Sequence, residues 1–436
     1  MEKFTSYEYE WVNDQISSKL RVITKVILAN IPYVRSIFLT GGFGKGEGSV
    51  KITKSKTIVC LRDFDIAVIV DKMPNEKDVR ELYDKIYRSF NTINPECKLF
   101  RFSDFVVDIK FLRKQDLIYP DIWFYDLKSS SKLLYGEDIR ILIPSNGKEL
   151  PLSSGLRVLF EKTTGLLGVF PYLDYFNSQK TSEEGQQLLI FECYKTFIEM
   201  CTALYILAGK YEPKYADRAK KFEELYYTEY PELAKVLSDL PERVTEYTNF
   251  KLKPDYTGVR EDPLDLWFLT RDYLGKVLRL YIERYVDLTK FNWNNLPSYF
   301  KSIADQYYDP FIKSLIHTKF KISSRPIVGT ASLLYQTLTN MEYSYVVTRN
   351  FNKLYLRPLQ TFYMSPSLKF YSASIMILLS INKDGSVEKN LLREARRELR
   401  KCVPVQIDSS DIFGWDALRK NFLRAYKLYR GYHFVK

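Results

Sequence analysis

The residues of this chain best suited to chemistry are concentrated in its first quarter. Asp63 and Asp65 stand two apart in RDFDIAVIV, so on an extended strand both carboxylates emerge on one face. Phe64, Ile66 and Val68 turn to the opposite face, toward a core. Two carboxylates this close repel, and a cation between them relieves the repulsion. All-oxygen donors suit magnesium or manganese. A third candidate, Asp108, lies in FSDFVVDIKFL, where Asp104, Val106, Asp108 and Lys110 share a face. On a neighbouring strand it would join the pair, and three carboxylates can hold two metal ions on a transferring phosphoryl group. Alone, an Asp-x-Asp pair is more often a solvated edge. The upstream stretch LTGGFGKGEGSV shifts that balance, because its five glycines, Gly41 and Gly42 among them, can offer backbone amides to an anion. Lys45 is a further phosphate partner.

These residues need elements to place them. Apolar spacing predicts a helix over residues 12–30, ending before Pro32, and a short strand over 36–40 that runs into the glycines. Strands are expected over 63–70 and 102–111, with a helix over 75–90 between them. That order gives a small α+β module, closing at a linker near SNGKELPLSSG. Long helices are expected over 182–210, 215–227 and 264–286. Further on, helices are expected at 308–318, 329–339, 388–401 and 415–430, while VVTRNFNKLYLRPLQTFYM reads as extended. The expected domains are 1–150, 151–290 and 291–436: a small mixed-sheet domain followed by two mainly helical ones.

With these residues in place, the chain resembles the nucleotidyltransferase superfamily typified by DNA polymerase beta. Gly41 and Gly42 match its opening, Asp63 and Asp65 its Asp-x-Asp pair, and Asp108 its third carboxylate. The Lys45, Gly46, Glu47 extension is similar to that of members acting on small substrates. A weaker likeness, through LLYGEDIR, a long helix with Lys195 and AGKYEPKYADR, points to the helical domain of kanamycin-modifying nucleotidyltransferases. The resemblance implies that Asp63 and Asp65 bind two Mg²⁺ or Mn²⁺ ions and that Asp108 is a ligand and candidate base. It also implies that Gly41 and Gly42 clamp the triphosphate of a donor, with ATP the expected nucleotide. Two departures stand out. Gly42 replaces a serine that often donates to the triphosphate, and the interval to Asp63 is longer than usual, holding KITKSKTIVCLR as an expected basic loop. Arg62, just before the pair, either reaches phosphate or caps the strand. Lys195 either leans onto the triphosphate or snorkels to solvent.

Composition narrows the remaining chemistry. With two histidines in 436 residues, imidazole-based metal or acid–base chemistry is nearly excluded. Five scattered cysteines without a CxxC pair suit a reducing compartment rather than a disulfide framework. No stretch approaches twenty apolar residues and no leader opens the chain, so a soluble cytoplasmic protein without membrane contact is expected. The net charge of +12 favours an anionic partner. From Gly385 onward twelve Lys and Arg face six Asp and Glu, half of that excess. The expected acceptor is a small hydroxylated molecule, with RNA on the basic carboxyl-terminal helices as the alternative. A catalytically inactive nucleotide-binding or protein-interaction module is the alternative from another class.

Overall fold

A computed structural model describes residues 2–54, 56–61, 63–93, 107–144, 146–170, 182–304, 312, 325–351, 356–361, 364–405, 409 and 411–434. The protein is a mixed α+β chain, mostly helical, with a small four-stranded mixed sheet and a helical carboxyl-terminal region. Among the described residues no helix is long and apolar enough to cross a membrane.

Two compact units form. The first joins Met1–Leu150 to Gly209–Glu229 and Asp239–Arg260; the second joins Pro151–Ala208, Tyr230–Ser238 and Glu261–Lys436. This differs from three consecutive domains. One break falls at Leu150–Pro151, within the expected linker, but two helices of the middle segment fold with the amino-terminal module. The rest of that segment folds with the carboxyl-terminal region.

In the first unit, helix α1 (Glu10–Asn30) buries Val12, Ile16, Leu20, Ile23 and Ile27, one stripe at helical spacing. It stops at Ile31, whose backbone turns extended before Pro32. Strand β1 (Val34–Leu39) leads into a short helical turn, α2 (Gly41–Gly44). A hairpin of β2 (Val50–Ile52) and β3 (Ile58–Cys60) follows. The expected basic loop is therefore largely a hairpin, with Lys56 at positive φ near its tip. Next come β4 (Phe64–Val70), α3 (Glu76–Ile93), β5 (Val107–Leu112), α4 (Ile122–Ser130) and β6 (Lys132–Gly136). Asn75 caps α3, its Oδ1 accepting from the Asp78 amide at 2.9 Å. The two later helices of this unit are α5 (Tyr215–Glu229) and α6 (Leu240–Leu252).

The sheet order is β5-β4-β1-β6, with β4 and β5 parallel and the other pairs antiparallel. Alternation along β4 assigns its faces. Phe64, Ile66, Val68 and Val70 join the core that holds the buried stripe of α1, while Ala67 and Ile69 join Phe124 and Leu127 of α4. Asp65 shares the parity of Ala67 and Ile69.

In the second unit Pro366–Leu379 is buried along nearly its whole length. It explains why this stretch, unlike the amphipathic Lys389–Leu399, gives no polar face in sequence. Helices also cover Leu152–Gly168, Glu183–Leu207, Pro263–Val286, Arg325–Phe351 and Ile412–Phe434. The stretch read as extended begins instead inside a helix, since Val346 to Phe351 complete Arg325–Phe351 and a 3₁₀ turn spans Arg357–Thr361. Helical packing overrides the β propensity of Val346 and Val347. The helix expected at 308–318 lies outside the described residues apart from Ile312. Cys60, Cys193, Cys201 and Cys402 are buried free thiols.

Candidate active site

Asp65 and Asp108 are directly paired across the parallel strands β4 and β5, and Asp63 sits just before β4. One carboxylate oxygen from each of the three lies within 4.8 Å of the others. Asp63 and Asp65 are half-buried and Asp108 is exposed, so the group meets solvent at Asp108. The pairing register of the two strands brings residues 43 positions apart onto one face. Among the described residues these three are the one such group of acidic, cysteine or histidine side chains able to hold a metal. Their chemistry fits a hard divalent ion, because every donor is a carboxylate oxygen.

The glycine turn is bound to the same strand. The Thr40 amide donates to the Asp65 carbonyl at 2.8 Å, and the Thr40 hydroxyl donates to it at 3.1 Å. Gly41 has φ +59°, and a Cβ built there would stand 1.8 Å from Asp65 Oδ2. Glycine is thus required twice at this position, by the backbone and by the neighbouring carboxylate. At Gly42 an added Cβ would meet the Glu47 carbonyl at 3.3 Å, a tight but lesser contact. The first amides of α2, at Gly41, Gly42 and Phe43, have no intrahelical acceptor, as at any helix start.

Lys45 does not hold the position expected of a phosphate ligand. Its side chain is 4% exposed, and Nζ pairs with Asp126 Oδ2 at 2.6 Å. The Tyr211 hydroxyl donates to the other Asp126 oxygen at 2.9 Å. Burial of the ammonium against α4 commits it to folding the turn. Arg62 lies outside the described residues. Lys195 is half-buried on Glu183–Leu207, a helix of the second unit, whereas the three carboxylates belong to the first.

Tyr83 is a neighbour that the sequence did not single out. Its hydroxyl oxygen accepts from the Ile109 amide at 3.0 Å, beside Asp108. Burial pushes its pKa up to about 12, the Ile109 amide opposing this and the Asp108 and Asp63 carboxylates adding to it. Only its place next to Leu82 and Ile86 on the inward stripe of α3 hinted at such a role.

Part of the basic charge of the carboxyl-terminal helices is committed within the second unit. Arg396 and Arg419 are buried, and Arg419 donates to the Leu167 carbonyl at 2.6 Å as well as to Asp416. Arg397, Lys401 and Lys420 pair with Glu394, Glu398 and Asp416. The same unit has an open cleft of about 540 Å³ walled by Arg271, Lys276, Arg279, Trp293 and Asn390. Comparison of the chain with protein-family models, curated proteins and solved structures returns no match.

Proposed function

We propose that the first unit is a nucleotidyltransferase domain and that the protein moves a nucleoside monophosphate from a nucleoside triphosphate, ATP by expectation, to a hydroxyl acceptor. The observation that carries this reading is the convergence of Asp63, Asp65 and Asp108 within 4.8 Å, with Gly41 against Asp65. Asp63 and Asp65 would hold Mg²⁺ or Mn²⁺, with Asp108 completing the donor set. Bound there, such ions neutralise the triphosphate and lower the pKa of an attacking hydroxyl.

The side chains and backbone have distinct tasks in this reading. The amides at the start of α2 orient the triphosphate's oxygens. Asp108, the most exposed of the three, accepts the proton of the acceptor hydroxyl. The acceptor oxygen bonds to the α-phosphorus as the bond to the bridging α,β oxygen breaks, and pyrophosphate leaves. The absence of a serine hydroxyl at position 42 leaves this contact to backbone amides.

A small hydroxylated acceptor is favoured over RNA because the Lys45, Gly46, Glu47 extension resembles that of members acting on small substrates; Arg396 and Arg419 of the carboxyl-terminal helices are in addition buried within their own unit. The test is incubation with each α-labelled nucleoside triphosphate, Mg²⁺ or Mn²⁺, and a metabolite extract, total RNA or protein. Label is expected in a small molecule. Label in RNA would move the acceptor to nucleic acid, and tight nucleotide binding with no transfer to any class would make the protein an inactive module.

A further inference from the structure

We propose that Glu47 is a positioning residue that ties α5 and α6 to the glycine turn and so sets Gly41 against Asp65. This rests on the reading of Asp63, Asp65 and Asp108 as a metal site. Glu47 is 5% exposed, although a glutamate in a glycine-rich turn would ordinarily face water. Its two carboxylate oxygens accept from the first two amides of α5, Tyr215 at 2.7 Å and Ala216 at 2.9 Å. A carboxylate at a helix amino terminus satisfies donors that lack intrahelical partners and complements the helix dipole.

The main chain of the same residue faces the other way. The Glu47 amide donates to the Gly42 carbonyl at 2.8 Å, and its carbonyl accepts from Lys251 Nζ of α6 at 3.0 Å. Ser49 Oγ donates back to the Lys251 carbonyl at 2.8 Å. A continuous path therefore runs from α5 through Glu47 to Gly42 and Gly41, and from Gly41 to the Asp65 carboxylate. The Tyr215 ring reinforces it, with Lys251 Nζ 4.2 Å, Arg218 4.7 Å and Lys45 Nζ 4.9 Å from its centroid. Glu47 touches neither the carboxylates nor any reacting atom in this arrangement. Its effect passes through the turn, and it gives residues about 170 positions downstream a part in shaping the site.

The experiment is Mn²⁺ binding to the full chain, followed by electron paramagnetic resonance, with circular dichroism as the check on folding. Wild type, Glu47→Ala, Glu47→Gln and Asp65→Asn are compared. Asp65→Asn is expected to abolish high-affinity binding. Glu47→Ala should weaken it at least tenfold in a folded chain, and Glu47→Gln less, since one side-chain oxygen still accepts. Wild-type affinity in folded Glu47 variants, with Asp65→Asn inactive in binding, would overturn the role of Glu47 alone. Unchanged binding in Asp65→Asn would remove the metal site and the inference with it. Loss of the folded signal in both Glu47 variants would assign Glu47 to folding as a whole, which also overturns the proposal.

Discussion

At the scale of residues, a glycine and three carboxylates decide the site. Gly41→Ala places a methyl where Asp65 Oδ2 now sits, at a φ that disfavours any side chain. Its expected effect is at least a hundredfold loss of nucleotidyl transfer in a chain that stays folded, measured as labelled product beside thermal unfolding. Gly42→Ala should cost far less, because the nearest atom to its added carbon is the Glu47 carbonyl oxygen, at 3.3 Å. Asp63, Asp65 and Asp108 crowd three like charges, which favours neutral variants in the absence of metal. Asp108→Asn in chelator is therefore expected to unfold at the wild-type temperature or slightly above it, while losing transfer. A clear fall in unfolding temperature would show that Asp108 is held for stability. The three aspartates were legible from type and alternation alone. Tyr83 was not, because a tyrosine on a helix's inward stripe has the same pattern whether it only packs or also accepts a backbone hydrogen bond.

At the scale of elements, the parallel pairing of β4 with β5 does what sequence spacing could only suggest. Alternation puts Asp65 and Asp108 each on a face, but register decides whether they meet, and register depends on side chains from both strands and α3. The role of the turn's charged residues was misread for a related reason. Lys45 in a glycine-rich run looks like a phosphate ligand until its partner is known, and that partner, Asp126, is 81 residues away on α4. Lys45→Met would leave Asp126 in a largely buried place without its cation. It is expected to destabilise the first unit by about 3 kcal/mol, as removal of one member of a buried ion pair does. Denaturant unfolding measures this, and an unchanged midpoint would show that the pair is not needed to hold the turn.

At the scale of the molecule, the break at Leu150–Pro151 was visible as a composition shift, and the interleaving of the two units was not. Nothing local marks α5 and α6 as partners of the amino-terminal module. The ties are single long-range contacts, such as Glu47 with the α5 amides and Lys251 with Glu47. Residues 1–150 expressed alone are consequently expected to lose hydrogen-exchange protection over Gly41–Ser49 relative to the full chain, while α1 keeps more of it. Equal protection in both would contradict the dependence of the turn on α5 and α6.

The second unit has its own signature in pH. Lys369 is fully buried, with Nζ on Asn340 Oδ1 at 2.8 Å and the Pro358 carbonyl at 3.2 Å, and burial pushes its pKa down to about 8 from 10.5. Below pH 8 both folded and unfolded chains hold this proton, and the full burial penalty is present. Between pH 8 and 10.5 the unfolded chain binds more protons, so this lysine's contribution to stability rises with pH. Relative to Lys369→Met, the wild type is expected to gain roughly 3 kcal/mol across that window. Parallel pH profiles of the two would show the lysine to be better solvated than its surroundings imply.

In the proposed reaction Asp63, Asp65 and Asp108 serve cleavage between the α- and β-phosphates. Its most direct test is the identity of the phosphate released from ATP in the presence of Mg²⁺ and a metabolite extract. The expected result is pyrophosphate, matched one to one by α-label in a new product, and lost with chelator and in Asp65→Asn. Orthophosphate as the sole phosphate product, or pyrophosphate release undiminished in Asp65→Asn, would contradict it.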